Sequence, residues 1–190
     1  DEVIMAAMDI AKKIQKIPVL SGVCYGFIGN RMLRQYVRET QLCLIEGSSP
    51  EQIDRAMEAW GMAMGPLSVG DLSGLDIAYK ARQSLSDEEK GDPKTYCIPD
   101  ALVEKGRLGQ KTSMGYYRYN QGNRARKSDP EVQQIIRDQA ERQNVTRREI
   151  TDDEIIQRLT LALINEGFKI LEEGIAQRSS DIDVVYVFGY

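Results

Sequence analysis

The chain contains 190 residues, of which 42% are apolar, and carries a formal net charge of −4 at pH 7. This length is sufficient for one sizeable hydrophobic core or two small ones. The slightly acidic balance provides no general attraction to nucleic acid or to anionic membranes. The sequence has no histidine, which excludes Ser-His-Asp, Cys-His and HExxH catalytic sites. A general base would have to be a carboxylate, a lysine or a cysteine with a strongly shifted pKa.

Three cysteines, Cys24, Cys43 and Cys97, occur at unrelated spacings without a CxxC pair. An odd number of unclustered cysteines predicts free, packed thiols in a reducing compartment. Because neither clustered cysteines nor histidines are present, we expect no metal site. No apolar run approaches the roughly 20 residues of a membrane-spanning helix. The chain begins at Asp1 and ends at Tyr190 inside helical patterns, so we interpret it as part of a longer polypeptide.

The first 22 residues predict a helix over 3–14 and a short strand, Lys-Ile-Pro-Val-Leu, at 16–20, followed by Gly22. A helix, a strand and a glycine in this order are typical of the closing unit of an α/β domain. We therefore expect this segment to be the end of such a domain.

A long amphipathic helix is predicted over 26–47. Apolar side chains recur with helical spacing from Ile28 to Leu44, while several arginines and Gln41 occupy the opposite side. Asn30 lies at the edge of the apolar arc in the first turn, where a short amide can reach inward and keep its hydrogen bonds. From spacing alone, Asn30 is either a structural residue at a helix start or part of a functional site.

Helix-start signals recur further along the chain. Ser48 or Ser49 followed by Pro50 predicts a helix that ends at Gly61. Pro66 predicts another start, with apolar residues sharing one face as far as Ala78. The remaining predictions are a loop over 84–96, a helix over 98–105, turn chemistry and an alternating aromatic stretch over 109–119, a linker over 120–128, and helices over 130–143, 151–174 and 181–188.

Two charged segments have simple interpretations. The basic residues Arg124, Arg126 and Lys127 have acidic surroundings, so we interpret them as a solvated linker and not as a nucleic-acid-binding patch. Gly-Gln-Lys-Thr at 109–112 resembles a phosphate-binding loop, but Gln110 occupies the position that requires glycine, and the sequence has no GxGxxG. We therefore expect no nucleotide site within this chain.

Two segments of the sequence repeat each other. Arg31, Glu39, Glu46 and Gly47 recur as Arg158, Glu166, Glu173 and Gly174 at the same separations of eight, seven and one, and Ile53-Asp54 recurs as Ile182-Asp183. Each copy is a long helix, a short loop and a second helix, and two such copies can stack about a local twofold axis. We expect the repeated arginines and glutamates to form packing contacts or ion pairs in both copies. Asn30 aligns with Gln157, and a residue that only one copy carries is the better candidate for function.

Four blocks resemble a known family: GFIGNRM at 26–32, MGPLSVGDLSGLD at 64–76, GQKTSMGYYRY at 109–119 and NEGFKILEEGIA at 165–176. They are similar to the C-terminal helical region of the L-3-hydroxyacyl-CoA dehydrogenases of fatty-acid β-oxidation. The tandem halves most resemble the multifunctional peroxisomal members, which also carry an enoyl-CoA hydratase; mitochondrial and bacterial relatives are similar too. The resemblance implies a mainly α fold of tandem helical repeats, preceded by the last helix and strand of a Rossmann domain.

The resemblance also implies a division of the chain. Residues 1–24 would be the tail of an NAD-binding domain, 25–119 the first helical repeat, 120–150 a linker with a polar helix, and 151–190 a truncated second repeat.

In this family the Rossmann domain binds NAD and supplies a catalytic histidine with a glutamate partner. The helical region supplies an asparagine in a GFxxNR motif, which matches Asn30. By resemblance, Asn30 would be a catalytic residue that hydrogen-bonds the 3-oxygen of an acyl-CoA substrate or the histidine that faces it. NAD and the histidine would lie outside this chain, which would then be inactive alone. The implied partners are the Rossmann domain of the same polypeptide and a second copy through the helical repeats; the implied location is the peroxisome, with the mitochondrial matrix or cytoplasm as alternatives.

Two other functions remain open at this point. The chain could be a non-catalytic helical module for dimerisation or interdomain contact, in which Asn30 only stabilises a helix start. It could also belong to a related helical dehydrogenase that acts on a free hydroxy acid instead of a CoA thioester.

Overall fold

The computed structural model describes residues 2–120 and 123–190. These residues form ten α-helices and one antiparallel pair of strands, so the predicted mainly α fold is confirmed. The helices are α1 (Glu2–Lys13), α2 (Gly29–Glu46), α3 (Pro50–Trp60), α4 (Pro66–Ser73), α5 (Leu75–Gln83), α6 (Asp87–Lys90), α7 (Cys97–Glu104), α8 (Pro130–Arg142), α9 (Asp152–Glu172) and α10 (Ser179–Gly189), and the strands are β1 (Arg118–Asn120) and β2 (Asn123–Lys127). Within this part of the chain, no helix combines the length and apolarity needed to cross a membrane.

The chain divides into two compact units. Unit 1 contains Asp1–Tyr36 and Leu161–Tyr190, and unit 2 contains Val37–Thr160. The division passes through α2 and α9, so each unit takes one half of both long helices. The domain limits predicted after residues 24, 119 and 150 follow the sequence repeats instead, and they stay a prediction.

The predicted helix starts are confirmed where a capping side chain was recognisable. Ser49 precedes Pro50, and its hydroxyl accepts a hydrogen bond from the Gln52 backbone N–H at 3.1 Å, which satisfies one of the free donors at the start of α3. The Thr151 hydroxyl does the same for the Glu154 N–H of α9 at 3.2 Å. Local hydrogen-bonding chemistry therefore determines where these helices begin.

Four predicted elements are wrong. The loop predicted over 84–96 contains the short helix α6, whose start is capped by the Ser86 hydroxyl, which accepts a hydrogen bond from the Glu89 N–H. Residues 16–20 form no strand, because no described segment hydrogen-bonds alongside them as a neighbouring strand must. The helix predicted from Pro66 breaks at Gly74, whose φ of 98° is incompatible with a right-handed helix. The predicted linker at 120–128 contains β2, which pairs with β1; residues 121–122 lie outside the described residues.

In unit 1, the first turns of α2 pack on the end of α9 and on α10. Ile28, Met32, Ile170 and Ala176 are buried together, with partly buried side chains such as Ile182 and Val185 against them. The segment between α1 and α2 joins this unit through the Gly22 N–H, which donates to the Ile175 carbonyl at 2.8 Å. The unit-1 core therefore lies directly beneath the start of α2.

In unit 2, two buried carboxylates hold separate segments together. The fully buried Asp54 accepts hydrogen bonds from the backbone N–H groups of Leu67 and Ser68 at 2.9 and 3.0 Å, and from the Tyr117 hydroxyl at 2.9 Å. A carboxylate in this position accepts hydrogen bonds from free N–H donors at the start of α4. Its negative charge also interacts favourably with the positive end of the helix dipole. Asp54 thereby fixes α3, α4 and the segment before β1 in one arrangement.

Asp71 plays the same part for the aromatic segment. The backbone N–H groups of Tyr116 and Tyr117 donate to its two carboxylate oxygens at 2.9 and 3.0 Å, and the Tyr119 hydroxyl donates at 2.9 Å. Burial raises the pKa of the Asp71 carboxyl to about 6, and the nearby Asp54 charge also raises it. The three hydrogen bonds lower this pKa but do not outweigh burial.

Asp54→Ala should lower the free energy of unfolding by about 3 kcal/mol, because buried N–H and O–H donors lose their acceptor. Asp183 aligns with Asp54 in the second repeat but is exposed. Asp183→Ala should therefore change the unfolding free energy by less than about 0.5 kcal/mol. Urea unfolding followed by circular dichroism measures both variants, and equal losses would contradict the assigned role of Asp54.

The stabilising effect of Asp71 should decrease as the pH rises. Its native pKa of about 6 lies above the ordinary value of 3.8 that applies in the unfolded chain, so the native state binds the proton more tightly. The contribution is therefore fully present below pH 4 and is lost through pH 6, by up to about 3 kcal/mol. Urea unfolding at pH 4 and at pH 7 measures how much more stable wild type is than Asp71→Asn. This stability difference should be less favourable to wild type at pH 7 by that amount. A shift in favour of wild type would show that the three hydrogen bonds outweigh burial.

Candidate functional site

The candidate site begins with an unusual backbone turn before α2. Gly26 and Phe27 have φ values of 80° and 50°, so neither belongs to a right-handed helix. A Cβ atom on Gly26 would lie 2.7 Å from the backbone nitrogen of Arg31, so the turn requires glycine there. As a result α2 begins at Gly29 and not at residue 26 as predicted, and Asn30 is its second residue.

The side chain of Asn30 is exposed at this helix start. Its Oδ1 atom accepts a hydrogen bond of 2.6 Å from the Tyr190 hydroxyl. Among the described residues, Nδ2 has no hydrogen-bond partner, so both amide N–H groups are available to a ligand. Phe27, three residues earlier in the chain, has 56% of its surface exposed. The Asn30 side chain is therefore not buried among the helices, and its N–H groups are exposed.

Two tyrosines of the α10 segment cover the backbone next to Asn30. The Tyr186 hydroxyl donates to the Gly29 carbonyl at 3.1 Å, and the rings of Tyr186 and Tyr190 stack with centroids 5.0 Å apart. A Cβ atom on Gly29 would overlap the Tyr190 ring, so only glycine permits this approach. Burial raises the pKa of both tyrosine hydroxyls above the ordinary value, and they remain protonated donors at neutral pH.

Arg31 fixes the turn from the other side. Its Nε donates to Glu166 at 2.7 Å, and its two terminal nitrogens donate to Glu173 at 2.5 and 2.7 Å. The bonds to Glu173, and then to Glu166, raise the pKa of Arg31 above its ordinary value, and the same arginine lowers the pKa of Glu173. Arg31 is thus held by two carboxylates and is not free to bind a ligand.

The repeat predicts packing contacts or ion pairs for the arginines and glutamates of both copies, and the structure has ion pairs in which the arginine of each copy contacts the glutamates of the other. In unit 2, Arg158 contacts Glu39 at 3.1 Å and Glu46 at 2.7 Å. The repeated arginines and glutamates therefore belong to the scaffold of both copies. Asn30 has no such equivalent, since Gln157 occupies the aligned position.

This arrangement can bind and orient a polar group, but it has no general base of its own. Asn30 is neutral at all relevant pH values, Arg31 is permanently charged, and Tyr190 titrates above its ordinary range. A reaction that removes a proton near Asn30 therefore needs a group from outside this cluster.

The described residues do not fit NAD. A dinucleotide site requires a parallel strand that leads through a glycine-rich turn into a helix, whereas these residues form only the antiparallel pair of β1 and β2. Within residues 2–120 and 123–190, no group of three or more Cys, Asp or Glu side chains is placed to hold a metal ion.

The sequence proposes Asn30 as a site residue, but it does not indicate that Tyr190 bonds to its side chain. Tyr190 follows the helix predicted over 181–188, and that prediction assigns it no contact. The signal that could have revealed this contact is the small residue at Gly29, which indicates that another side chain approaches the helix start closely.

Comparison with known proteins identifies the family. Residues 26–119 match the family model of the 3-hydroxyacyl-CoA dehydrogenase C-terminal domain. The chain is 44% identical to the peroxisomal bifunctional enzyme of Cavia porcellus, over 98% of this chain and 27% of that protein. It thus spans about a quarter of the length of this curated relative.

Solved structures agree with this match. The dehydrogenase part of multifunctional enzyme 1 from C. elegans is 32% identical with a TM-score of 0.73, over 97% of this chain and 41% of that one. The 3-hydroxybutyryl-CoA dehydrogenase of Escherichia coli K12 has a TM-score of 0.74 over 99% of this chain and 55% of that one; at 22% identity it shows the shared fold.

Arg31→Ala should destabilise the protein more than Arg158→Ala. Loss of Arg31 leaves the Glu166 side chain, only 7% exposed, without its main partner, which should cost about 2 kcal/mol of unfolding free energy. Arg158 pairs with the more exposed Glu39 and Glu46, at 22% and 28%, so its loss should cost less. Urea unfolding measures both, and Arg31→Ala combined with Glu166→Gln should recover part of the loss. If the second substitution recovers nothing, the buried carboxylate is not the cause.

Proposed function

The chain belongs to the family of 3-hydroxyacyl-CoA dehydrogenase C-terminal domains, and we propose that it is the helical part of an NAD-dependent L-3-hydroxyacyl-CoA dehydrogenase of fatty-acid β-oxidation. The reaction is the oxidation of the 3-hydroxyl group of an acyl-CoA to a ketone. NAD and the proton acceptor belong to a Rossmann domain of the same polypeptide, because the described residues offer neither. This chain alone is therefore inactive in our proposal.

The exposed apolar surface of α1 is an argument for a neighbouring domain. Val3 and Ile10 are seven residues apart and lie on one face of α1, yet they are 82% and 59% exposed. Apolar side chains clustered on one exposed helix typically mark an interaction surface. We propose that this face contacts the rest of the Rossmann domain.

The main observation behind the proposal is the position of Asn30. This residue is an exposed amide with available N–H donors, lies in the first turn of α2, and is present in only one of two otherwise similar repeats. We propose that its Nδ2 donates to the 3-oxygen of the substrate or to the histidine that faces it. A fixed neutral donor stabilises negative charge as it develops on that oxygen. Because the amide is uncharged, it does so without displacing the pKa of a neighbouring base.

The names of the relatives support a location and a parent protein. Several are called peroxisomal bifunctional enzymes, and others glyoxysomal or peroxisomal multifunctional proteins of fatty-acid β-oxidation. We propose that this chain likewise belongs to a multifunctional enzyme and that this enzyme is peroxisomal.

A scaffold function is the alternative that a specific observation favours. Leu161, Ile164 and Phe168 lie on one side of α9 and are 58%, 52% and 68% exposed. Such a face could bind a second copy or another domain without any role in chemistry. In that case Asn30 would only stabilise the start of α2.

Asn30→Ala distinguishes the two functions. In the full-length enzyme that contains this chain, it should lower kcat for a 3-hydroxyacyl-CoA by roughly 10²–10³, the usual loss for one donor to a developing oxyanion. The scaffold alternative predicts unchanged kinetics and a loss of about 1 kcal/mol in stability. Steady-state kinetics and thermal unfolding of the same variant give both values.

Gln157→Ala is the matched control, because it truncates the aligned amide in the second repeat; its kinetics should equal those of wild type. A fully active Asn30→Ala enzyme would remove Asn30 from the mechanism. Comparing the CoA thioester with the free hydroxy acid as substrates tests the substrate class, and preference for the free acid would overturn that part of the proposal.

A further inference from the structure

We propose that Tyr190 is a positioning residue for Asn30, and that its hydroxyl selects the amide orientation in which the N–H groups point towards the substrate. The inference rests on the proposed function, since it assigns the second repeat a part in the site of the first. The observation behind it is the hydrogen bond between the Tyr190 hydroxyl and Asn30, which neither the sequence motif nor the repeat predicts.

Several neighbouring contacts fix the position of Tyr190 next to Asn30. The Tyr190 hydroxyl donates to Asn30 Oδ1 at 2.6 Å, a short distance for a neutral hydrogen bond. The ring lies over Gly29, where any Cβ atom would overlap it. It also stacks on Tyr186, whose own hydroxyl is bonded to the Gly29 carbonyl at 3.1 Å. The Tyr190 hydroxyl is therefore held at one place above the start of α2.

The direction of the hydrogen bond gives it a chemical consequence. A carboxamide has an acceptor end and a donor end, and rotation about its last side-chain bond exchanges them. If the oxygen faced a substrate oxygen with developing negative charge, the two would repel each other. A hydroxyl that donates to Oδ1 makes this orientation unfavourable and leaves Nδ2 as the group that faces the ligand. Hydrogen bonds in series also polarise one another, which strengthens Nδ2 as a donor.

Tyr186 provides a matched comparison. It belongs to the same helix, stacks with Tyr190 and also uses its hydroxyl at the start of α2, but that hydroxyl binds the Gly29 backbone instead of the Asn30 side chain. If the tyrosines only attach α10 to α2, removal of either hydroxyl should affect stability and leave catalysis unchanged.

The experiment is a double-mutant cycle in the full-length enzyme. Tyr190→Phe and Tyr186→Phe are each made in the wild-type and the Asn30→Ala backgrounds, and kcat, KM and the melting temperature are measured. Tyr190→Phe should lower kcat about tenfold, the effect of one hydrogen bond, with little change in KM. It should have no further effect once Asn30 is alanine. Tyr186→Phe should lower the melting temperature and leave kcat unchanged.

A second measurement needs no turnover. In ¹H–¹⁵N spectra of the 190-residue chain, the side-chain amide signals of Asn30 are those that disappear in Asn30→Ala. They should shift in Tyr190→Phe and much less in Tyr186→Phe. Equal shifts in the two variants would overturn the direct contact.

The outcomes separate this inference from the proposed function. A slow Asn30→Ala enzyme together with a full-rate Tyr190→Phe enzyme overturns the inference alone. Equal losses from Tyr190→Phe in both backgrounds show that Tyr190 acts independently of Asn30, which also overturns it. A full-rate Asn30→Ala enzyme overturns the proposed function and this inference with it.

Discussion

The structure depends on a reciprocal contact between its two long helices. In unit 1, Arg31 of α2 is bonded to Glu166 and Glu173, and in unit 2, Arg158 of α9 contacts Glu39 and Glu46 of α2. In each case one guanidinium joins two carboxylates that are seven residues apart, two turns of the same helical face. Arginine suits this position because its planar group binds two acceptors at once with a fixed geometry. Each half of both long helices is therefore fixed to the other helix.

The repeats share this scaffold, but their local environments differ. Asp54 is completely buried and accepts hydrogen bonds from the start of α4, whereas its counterpart Asp183 is exposed. The same two-residue pattern therefore has different energetic weight in the two copies. Asp54 differs from Asp183 in having the N-terminus of α4 and the Tyr117 hydroxyl around it, and these come from segments outside the repeated pattern.

The parts of the fold that sequence could predict are those set by neighbouring residues. Ser49 and Thr151 mark helix starts because their hydroxyls bond to backbone groups three residues away. Gln41 was assigned to the polar side of α2 but is buried, because the Tyr116 hydroxyl reaches its amide oxygen from a segment 75 residues later. The strand predicted at 16–20 also depends on residues distant in sequence, as a strand exists only with a neighbour. A local motif proposes Asn30 as a site residue, whereas no local pattern could indicate its hydrogen bond with Tyr190, because the two residues are 160 positions apart.

The charge balance next to Asn30 is compatible with the role proposed for this neutral amide. Arg31 is the adjacent residue in the chain, and a free guanidinium would compete with the amide for any electron-rich group of a ligand. Its full engagement with Glu166 and Glu173 offsets that positive charge and directs the side chain into unit 1. With the cation satisfied and the amide oxygen bonded to Tyr190, the donors left exposed in this cluster are the N–H groups of Asn30. A fixed neutral donor bonds an oxygen more strongly as negative charge grows on it, so it stabilises such a transition state more than the uncharged ground state, and this difference is the requirement for catalysis as distinct from tight binding.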